Sequence, residues 1–310
     1  MKNFAILGVG GYIAPRHLQA IKDTGNKIVC AHDPFDSVGI LDRYSQDIAY
    51  FKDFEKFESF IESNQIDYFS ICTPNYLHFD HIRCALRNNC HAICEKPLVL
   101  TLKEIEYLQN LEQKTGKKVF NILQLRTHPS LIKLKEKIDT TPLKEKYQID
   151  LTYITSRGPW YFETWKEDQR KSGGLATNIG IHFFDMLTWI FGGVEQNEVY
   201  EKTDKTNSGY LELEKAQVNW KLSIDKNQLP KKAQEKNMTT FRSIRINGEE
   251  IEFSDGFTDL HTEVYKQILS HGAFGLELAK KSIIIAEEIR NTTPSRPNFF
   301  NKRDNLNELF

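Results

Sequence analysis

Gly8-Val9-Gly10-Gly11-Tyr12-Ile13-Ala14 is the stretch on which the reading of this chain turns. It follows the apolar run Phe4–Leu7 and opens the segment Tyr12–Asp23, whose apolar residues recur at helical spacing. A strand, a glycine turn and a helix in that order suit a dinucleotide, because side chains in the turn would keep a pyrophosphate from the backbone amides at the helix N-terminus. Gly8 and Gly10 fill the first two glycine positions. The third falls on Ile13, or on Ala14 if the turn is one residue longer. A glycine turn by itself serves many strand-helix junctions. Asp33 adds weight: it ends the next apolar run, Lys27–His32, 19 residues beyond Ala14, near the spacing of a ribose-binding acid. A carboxylate there accepts from both ribose hydroxyls and repels a 2′-phosphate, which favours NAD over NADP.

Outward from that turn, residues 1–125 alternate short apolar runs with amphipathic ones. Strands are expected at Phe4–Gly8, Lys27–His32, Tyr68–Cys72, Ala92–Cys94 and Val119–Leu123, and helices at Tyr12–Asp23, Phe54–Ser63, Leu77–Asn88 and Leu102–Thr115. Such alternation implies an α/β, mainly parallel sheet covered on both faces. After residue 126 the rhythm changes. Gln148–Thr155 reads as a strand, Ile181–Ile190 as a helix, Leu211–Leu222 and Ser243–Phe253 as half-exposed strands, and two helices follow near 259–271 and 276–290. The expected organisation is a Rossmann-type nucleotide domain over 1–125, an α+β domain over 126–290 and a tail over 291–310.

Composition narrows the function classes. At 310 residues, and roughly 150 per domain, about two domains are expected. Forty-one basic against 42 acidic residues leave a net charge of −1, which argues against a nucleic-acid binder. No run of 18 apolar residues offers a membrane span. The five cysteines, Cys30, Cys72, Cys84, Cys90 and Cys94, form an odd set in a long chain and read as reduced thiols of a cytoplasmic protein. Cys90-His91-Ala92-Ile93-Cys94, near His81 and Cys84, has no paired Cys-x-x-Cys knuckle, and alternate side chains of a strand face opposite ways. No metal is expected.

Three further segments carry chemistry. Thr73-Pro74-Asn75 with His78, and Glu95-Lys96-Pro97, follow the third and fourth of the expected buried strands, where open α/β sheets bind their ligands. Lys96 is held by the proline after it. It is either a solvated loop lysine or an ammonium that stabilises a developing alkoxide. Lys171-Ser172-Gly173-Gly174 leads into a helix that places Asn178 and His182 four residues apart, on one face. An imidazole there is a core side chain or a base for an alcohol proton.

Together these segments resemble the Gfo/Idh/MocA family of nicotinamide-dependent sugar and inositol oxidoreductases, over roughly residues 1–290. The resemblance implies a Rossmann domain followed by a domain built on an open, mainly antiparallel sheet that often mediates oligomerisation, here as a homodimer or homotetramer. It implies NAD held by Gly8, Gly10, Gly11, Tyr12, Ile13, Asp33, Thr73, Pro74, Asn75, His78, Glu95, Lys96 and Gln124. It also sets Lys96 and His182 beside the nicotinamide as catalytic candidates, either of which could be the base. Where the family often has aspartate this chain has Asn178, which can position substrate but not take a proton.

Within the family, Gly11–His17, Asn121–Arg126, Leu151–Gly158, Asn247–Glu250 and Gly256–Thr262 are similar to bacterial dehydrogenases that act at C3 of UDP-N-acetylglucosaminuronic acid for lipopolysaccharide O-antigen synthesis. For that substrate Lys96, Arg126, Arg157, Lys171, Asn178 and His182 are the expected contacts, the arginines and Lys171 toward carboxylate or diphosphate. Each of these cations is equally well a solvated surface residue. Reduced cofactor would either leave after each turnover or be reoxidised in place, with 2-oxoglutarate as the oxidant. Two alternatives stay open: oxidation of another sugar or inositol, and a non-catalytic nucleotide-binding regulator.

Overall fold

In the computed structural model residues 1–251 and 259–295 are described, and they divide into two compact units. The first contains β1 (Asn3–Leu7), α1 (Ala14–Asp23), β2 (Lys27–His32), β3 (Ala49–Phe51), α2 (Phe54–Ser63), β4 (Tyr68–Ile71), α3 (His78–Arg87), β5 (His91–Cys94), α4 (Leu102–Thr115) and β6 (Val119–Asn121). All six strands are parallel in the order β3-β2-β1-β4-β5-β6. The order reverses between β1 and β4, and that switch point opens a crevice at the strands' carboxyl ends. The strands and helices expected here appear within a residue or two of their bounds. β3, three residues long, is too short to show a period.

The second unit contains α5 (Pro129–Thr140), β7 (Tyr147–Thr155), α6 (Gln169–Ser172), α7 (Ile181–Phe191), β8 (Val194–Lys202), β9 (Thr206–Leu213), β10 (Ala216–Ser223), α8 (Lys231–Glu235), β11 (Thr240–Ile246) and β12 (Glu249–Glu250). Its sheet runs β12-β11-β7-β10-β9-β8, antiparallel except for the β7–β10 pair. α7 is apolar nearly all round and lies on one face, with Phe184 edge-on to Trp220 and Phe183 against Tyr153. The other face carries Gln148, Asp150 and Asn219, which are exposed. An alternating, half-covered antiparallel sheet results. The single strand expected at Leu211–Leu222 is instead a hairpin, β9 and β10, turning at Glu214-Lys215. The strand expected at Ser243–Phe253 breaks at Asn247-Gly248, and its residues 252–253 lie outside the described ones.

The helices after residue 259 correct the expected domain boundary. α9 (Leu260–His271) and α10 (Leu276–Asn291) as far as Ile283 belong to the first unit rather than to a domain spanning 126–290. The cause is apolar packing: Val264, Tyr265 and Ile268 of α9 share one buried cluster with Phe4, Ile6, Leu18 and Ile21. Residues 284–295 belong to the second unit. There the start of the expected tail is tied down, with the Ser295 amide donating to the Val199 carbonyl. Residues 296–310 and 256–258 lie outside the described ones. Among the described residues no helix is long and apolar enough to cross a membrane.

Candidate active site

In the first unit the loops after β1, β2, β4, β5 and β6 bring the sequence-predicted cofactor residues to one edge of the sheet. Gly8 has φ +77°, and a Cβ there would meet the Cys72 and Thr73 backbone at 2.7 Å, so only glycine lets β1 pass so close to the end of β4. The Gly10 amide donates to Asp33 Oδ2 at 2.9 Å, and the Phe35 amide donates to Oδ1 at 2.9 Å. Asp33 is buried, so its carboxylate ties the glycine turn to the end of β2. Ala14, the first residue of α1, is fully buried in the core, while Ile13 is half-buried. Ala14 therefore takes the close helix-strand packing of the third position. The Tyr12 ring is 92% exposed.

A groove of about 830 Å³ runs from Gly8, Gly10 and Gly11 past Asp33, Pro34 and Phe35 to Thr73, Pro74 and His81. His81 Nδ1 lies 3.0 Å from Thr73 Oγ1, and burial, then His78 and His32, lower its pKa to about 3, so the ring is neutral. In the loop after β6 the Oε1 atom of Gln124 is buried with no hydrogen-bond partner, an acceptor waiting for a donor. The glycine-lined groove, the acid at the end of β2 and this orphaned acceptor fit a dinucleotide.

Two residues expected to contact the cofactor, His78 and Glu95, brace the loops around it. His78 is buried, with Nδ1 2.7 Å from the Pro97 carbonyl oxygen and Nε2 2.7 Å from that of Thr73. It lies between the loop after β4 and the loop after β5, and its neutral ring donates to one of the two carbonyls. Burial lowers its pKa, against the opposite pull of the two carbonyls and Glu95. Glu95 is also buried and turns inward: Oε1 accepts from His17 and His261, and Oε2 from the Lys96 amide. Lys96 follows with a cis peptide to Pro97, and Asn75 is buried beside Pro74. The Arg126 guanidinium reaches toward the Leu278 carbonyl at 3.5 Å. Spacing along the chain gave no sign of His17, Ser70, His261 and Tyr265. His17 and His261 do fall in two of the segments that carry the resemblance, Gly11–His17 and Gly256–Thr262, which gave neither of them a role.

In the second unit the expected helix covers both Asn178 and His182, but its first turn, Ala176–Gly180, is π-helical before α7 begins. Such turns are rare and gather at functional sites. The Asn178 Nδ2 donates to the Tyr161 hydroxyl at 2.9 Å, and Tyr161 is buried. Burial raises the Tyr161 pKa, while Asn178 and Arg157 pull it down. Lys166 sits over the Trp165 and Trp160 rings, at 4.6 and 5.4 Å, and burial, then Arg157, lowers its pKa. Arg157 is exposed. Lys171 is exposed in a depression with Glu163, Glu167, Asp168 and Asp204, a setting too acidic to draw a diphosphate.

The family GFO_IDH_MocA, described as an oxidoreductase family with an NAD-binding Rossmann fold, matches residues 2–122, and its C-terminal alpha/beta domain matches residues 135–226. Among solved structures, the WlbA (WbpB) dehydrogenase of Thermus thermophilus in complex with NAD and alpha-ketoglutarate is 48% identical, with a TM-score of 0.93 over 96% of this chain and 97% of that one. The same dehydrogenase in complex with NAD and UDP-GlcNAcA is 47% identical, with a TM-score of 0.92 over the same shares. The D-glucoside 3-dehydrogenase of Escherichia coli (strain K12) is 27% identical over 41% of this chain, a match that spans 36% of that relative's length. The chain belongs to the Gfo/Idh/MocA oxidoreductase family, with its NAD-binding Rossmann fold followed by its C-terminal α/β domain.

Proposed function

We propose that this chain oxidises the C3 hydroxyl of UDP-N-acetylglucosaminuronic acid to the 3-keto sugar with NAD, as a step toward the sugars of lipopolysaccharide O-antigen. The observation that carries the reading is the 47–48% identity, across nearly the whole chain, to a dehydrogenase crystallised with NAD and UDP-GlcNAcA. The C3 position is supported by a 3-dehydrogenase among the curated relatives.

When bound, NAD supplies the acceptor for the hydride that leaves C3. The chain's own residues do the rest. Asp33 gives one lone pair on each carboxylate oxygen to a backbone amide and keeps others for the ribose hydroxyls. The buried Gln124 Oε1 would accept from the carboxamide of the cofactor, and Thr73 and Asn75 would help to hold it. Either Lys96, as the neutral amine, takes the hydroxyl proton, or His182 takes it while the Lys96 ammonium stabilises the negative charge that develops on the oxygen. Asn178, set by Tyr161, orients the sugar. Arg126 and Arg157 are the proposed partners of the uronate or diphosphate, and Lys171 is left out because of its acidic surroundings. Reoxidation in place by 2-oxoglutarate is supported by the Thermus dehydrogenase in complex with NAD and alpha-ketoglutarate.

A stoichiometric single turnover with excess NAD and UDP-N-acetylglucosaminuronic acid, read by mass spectrometry, tests the reading without depending on cofactor recycling. Loss of two hydrogens from the nucleotide sugar is expected. Unchanged sugar, with NAD bound in the same sample, would move the assignment to another polyol or to a regulator.

A further inference from the structure

Glu95 ends in a buried network that no step above uses. Its Oε1 lies 3.0 Å from His17 Nε2 of α1 and 3.0 Å from His261 Nε2 of α9. Its Oε2 lies 3.1 Å from the Lys96 backbone nitrogen. Behind His17, Nδ1 is 2.8 Å from the Tyr265 hydroxyl and 3.0 Å from Ser70 Oγ, and those hydroxyls are 2.7 Å apart. All five side chains are buried.

Proton counting closes this network. A carboxylate only accepts, so both Nε2 atoms carry the hydrogens. Burial keeps the His17 pKa low, so its Nδ1 is bare and takes a hydrogen from one hydroxyl, while the other hydroxyl donates to the first. Burial raises the Glu95 pKa, but the two imidazole donors outweigh that and hold it well below the usual range. Oε1 is thereby occupied on two sides, and Oε2 is left facing the Lys96 amide. On the other side of Lys96, the Pro97 carbonyl is held by His78. The reactive lysine thus sits between two braces, one of them brought by α9 from 166 residues away.

We infer that Glu95 is a positioning residue for Lys96, and that His17 and His261 set it by fixing the direction of its carboxylate. The inference rests on Lys96 acting at the reacting carbon, as proposed above. Its chemistry is purely geometric: no proton moves through the network during a turnover. The three ligand atoms of His17, Glu95 and His261 also lie within 4.8 Å of one another, close enough for a divalent cation, so the test must separate the two arrangements.

The decisive pair of variants is His261→Leu and His261→Gln. Glutamine can put an N–H donor where the Nε2 of histidine stood, and leucine cannot. In His261→Leu, kcat should fall about 10- to 100-fold with KM and NAD affinity nearly unchanged, because a lysine displaced by a fraction of an ångström loses alignment rather than binding. Hydrogen exchange of the Lys96 amide, measured on the protein without cofactor, should quicken about tenfold with the loss of its acceptor's support. His261→Gln should restore both. Wild-type kcat and wild-type Lys96 exchange in the leucine variant would overturn the inference. So would a rise in exchange spread over the whole first unit that glutamine fails to reverse, since that is loss of packing. A stoichiometric metal in the purified protein, lost from both variants, would overturn it in favour of a cation site. If the wild type leaves UDP-N-acetylglucosaminuronic acid unchanged while Lys96 exchange responds as expected, the substrate reading fails and the positioning role stands.

Discussion

The two units hold their candidate residues in different ways. At the carboxyl edge of the parallel sheet several of the bracing contacts run to the backbone: Asp33 to the Gly10 and Phe35 amides, His78 to the Pro97 or Thr73 carbonyl, Glu95 Oε2 to the Lys96 amide, while Glu95 Oε1 is held by two histidine side chains. Those side chains are buried, and their backbone partners lie in the loops that follow the strands. In the second unit the contacts join side chain to side chain. Asn178 rests on Tyr161, Lys166 rests on two tryptophans, and the turn that carries Asn178 is π-helical. A site braced through its backbone can change little without disturbing the sheet. A site braced through side chains can be re-cut one residue at a time. The first arrangement suits a cofactor shared across a family, and the second suits the part of a substrate that differs among its members.

The largest expected effect lies where the rigid edge meets the chemistry. Lys96→Met should lower kcat by about 10³-fold, in the range for losing a proton-transfer or charge-stabilising group. The dissociation constant for NAD should stay within a few-fold, because the glycine turn, Asp33 and His78 keep their backbone contacts. Calorimetric NAD binding beside single-turnover kinetics makes the measurement. A loss of NAD affinity as large as the loss of kcat would show that Lys96 belongs to the cofactor frame.

Acid should separate the units next. His81 titrates at about 3 in the folded state, against about 6.5 when unfolded. The unfolded chain therefore binds the proton first. The stability this histidine contributes is fully present above pH 6.5 and is lost as pH falls toward 3, at about 1.4 kcal/mol per pH unit. His17 and His78, also lowered by burial, act in the same direction, and so does the lowered Glu95, whose carboxylate must be protonated. All four lie in the first unit. Hydrogen exchange between pH 7 and 4 should show that unit losing protection before the sheet of the second, and His81→Gln should flatten the slope. Earlier opening of the second unit would contradict the account.

The same contrast explains how much could be read beforehand. The glycine turn, Asp33 and Lys96-Pro97 were legible because their partners are neighbours in the chain or in the strand order, and a fixed spacing records that. The true partners of Glu95 were not. His17 and His261 approach it from 78 and 166 residues away, and no period connects them. The same blindness put α9 in the wrong unit, since only packing against α1 and β1 reveals where it belongs. The β9–β10 hairpin was missed for a local reason. Its turn, Glu214-Lys215, has none of the glycine, proline or asparagine that usually marks one, so the alternation of Leu211–Leu222 ran through it unbroken.

The smallest effect tests the second unit's side-chain brace. Tyr161→Phe removes the hydroxyl that accepts from Asn178 Nδ2 and leaves the ring in its buried place. Stability should fall by about 1 kcal/mol, the usual net worth of one such hydrogen bond. If Tyr161 also sets the amide for the sugar, KM for the nucleotide sugar should rise several-fold, with NAD affinity untouched and kcat only slightly lower. Thermal unfolding and steady-state kinetics on one preparation separate the possibilities. A stability loss with no change in KM would make Asn178–Tyr161 a packing contact, and the π-helical turn would then owe its shape to the sheet beneath it. A rise in KM that Asn178→Ser reproduces, and that the double variant does not exceed, would tie the turn's geometry to the substrate.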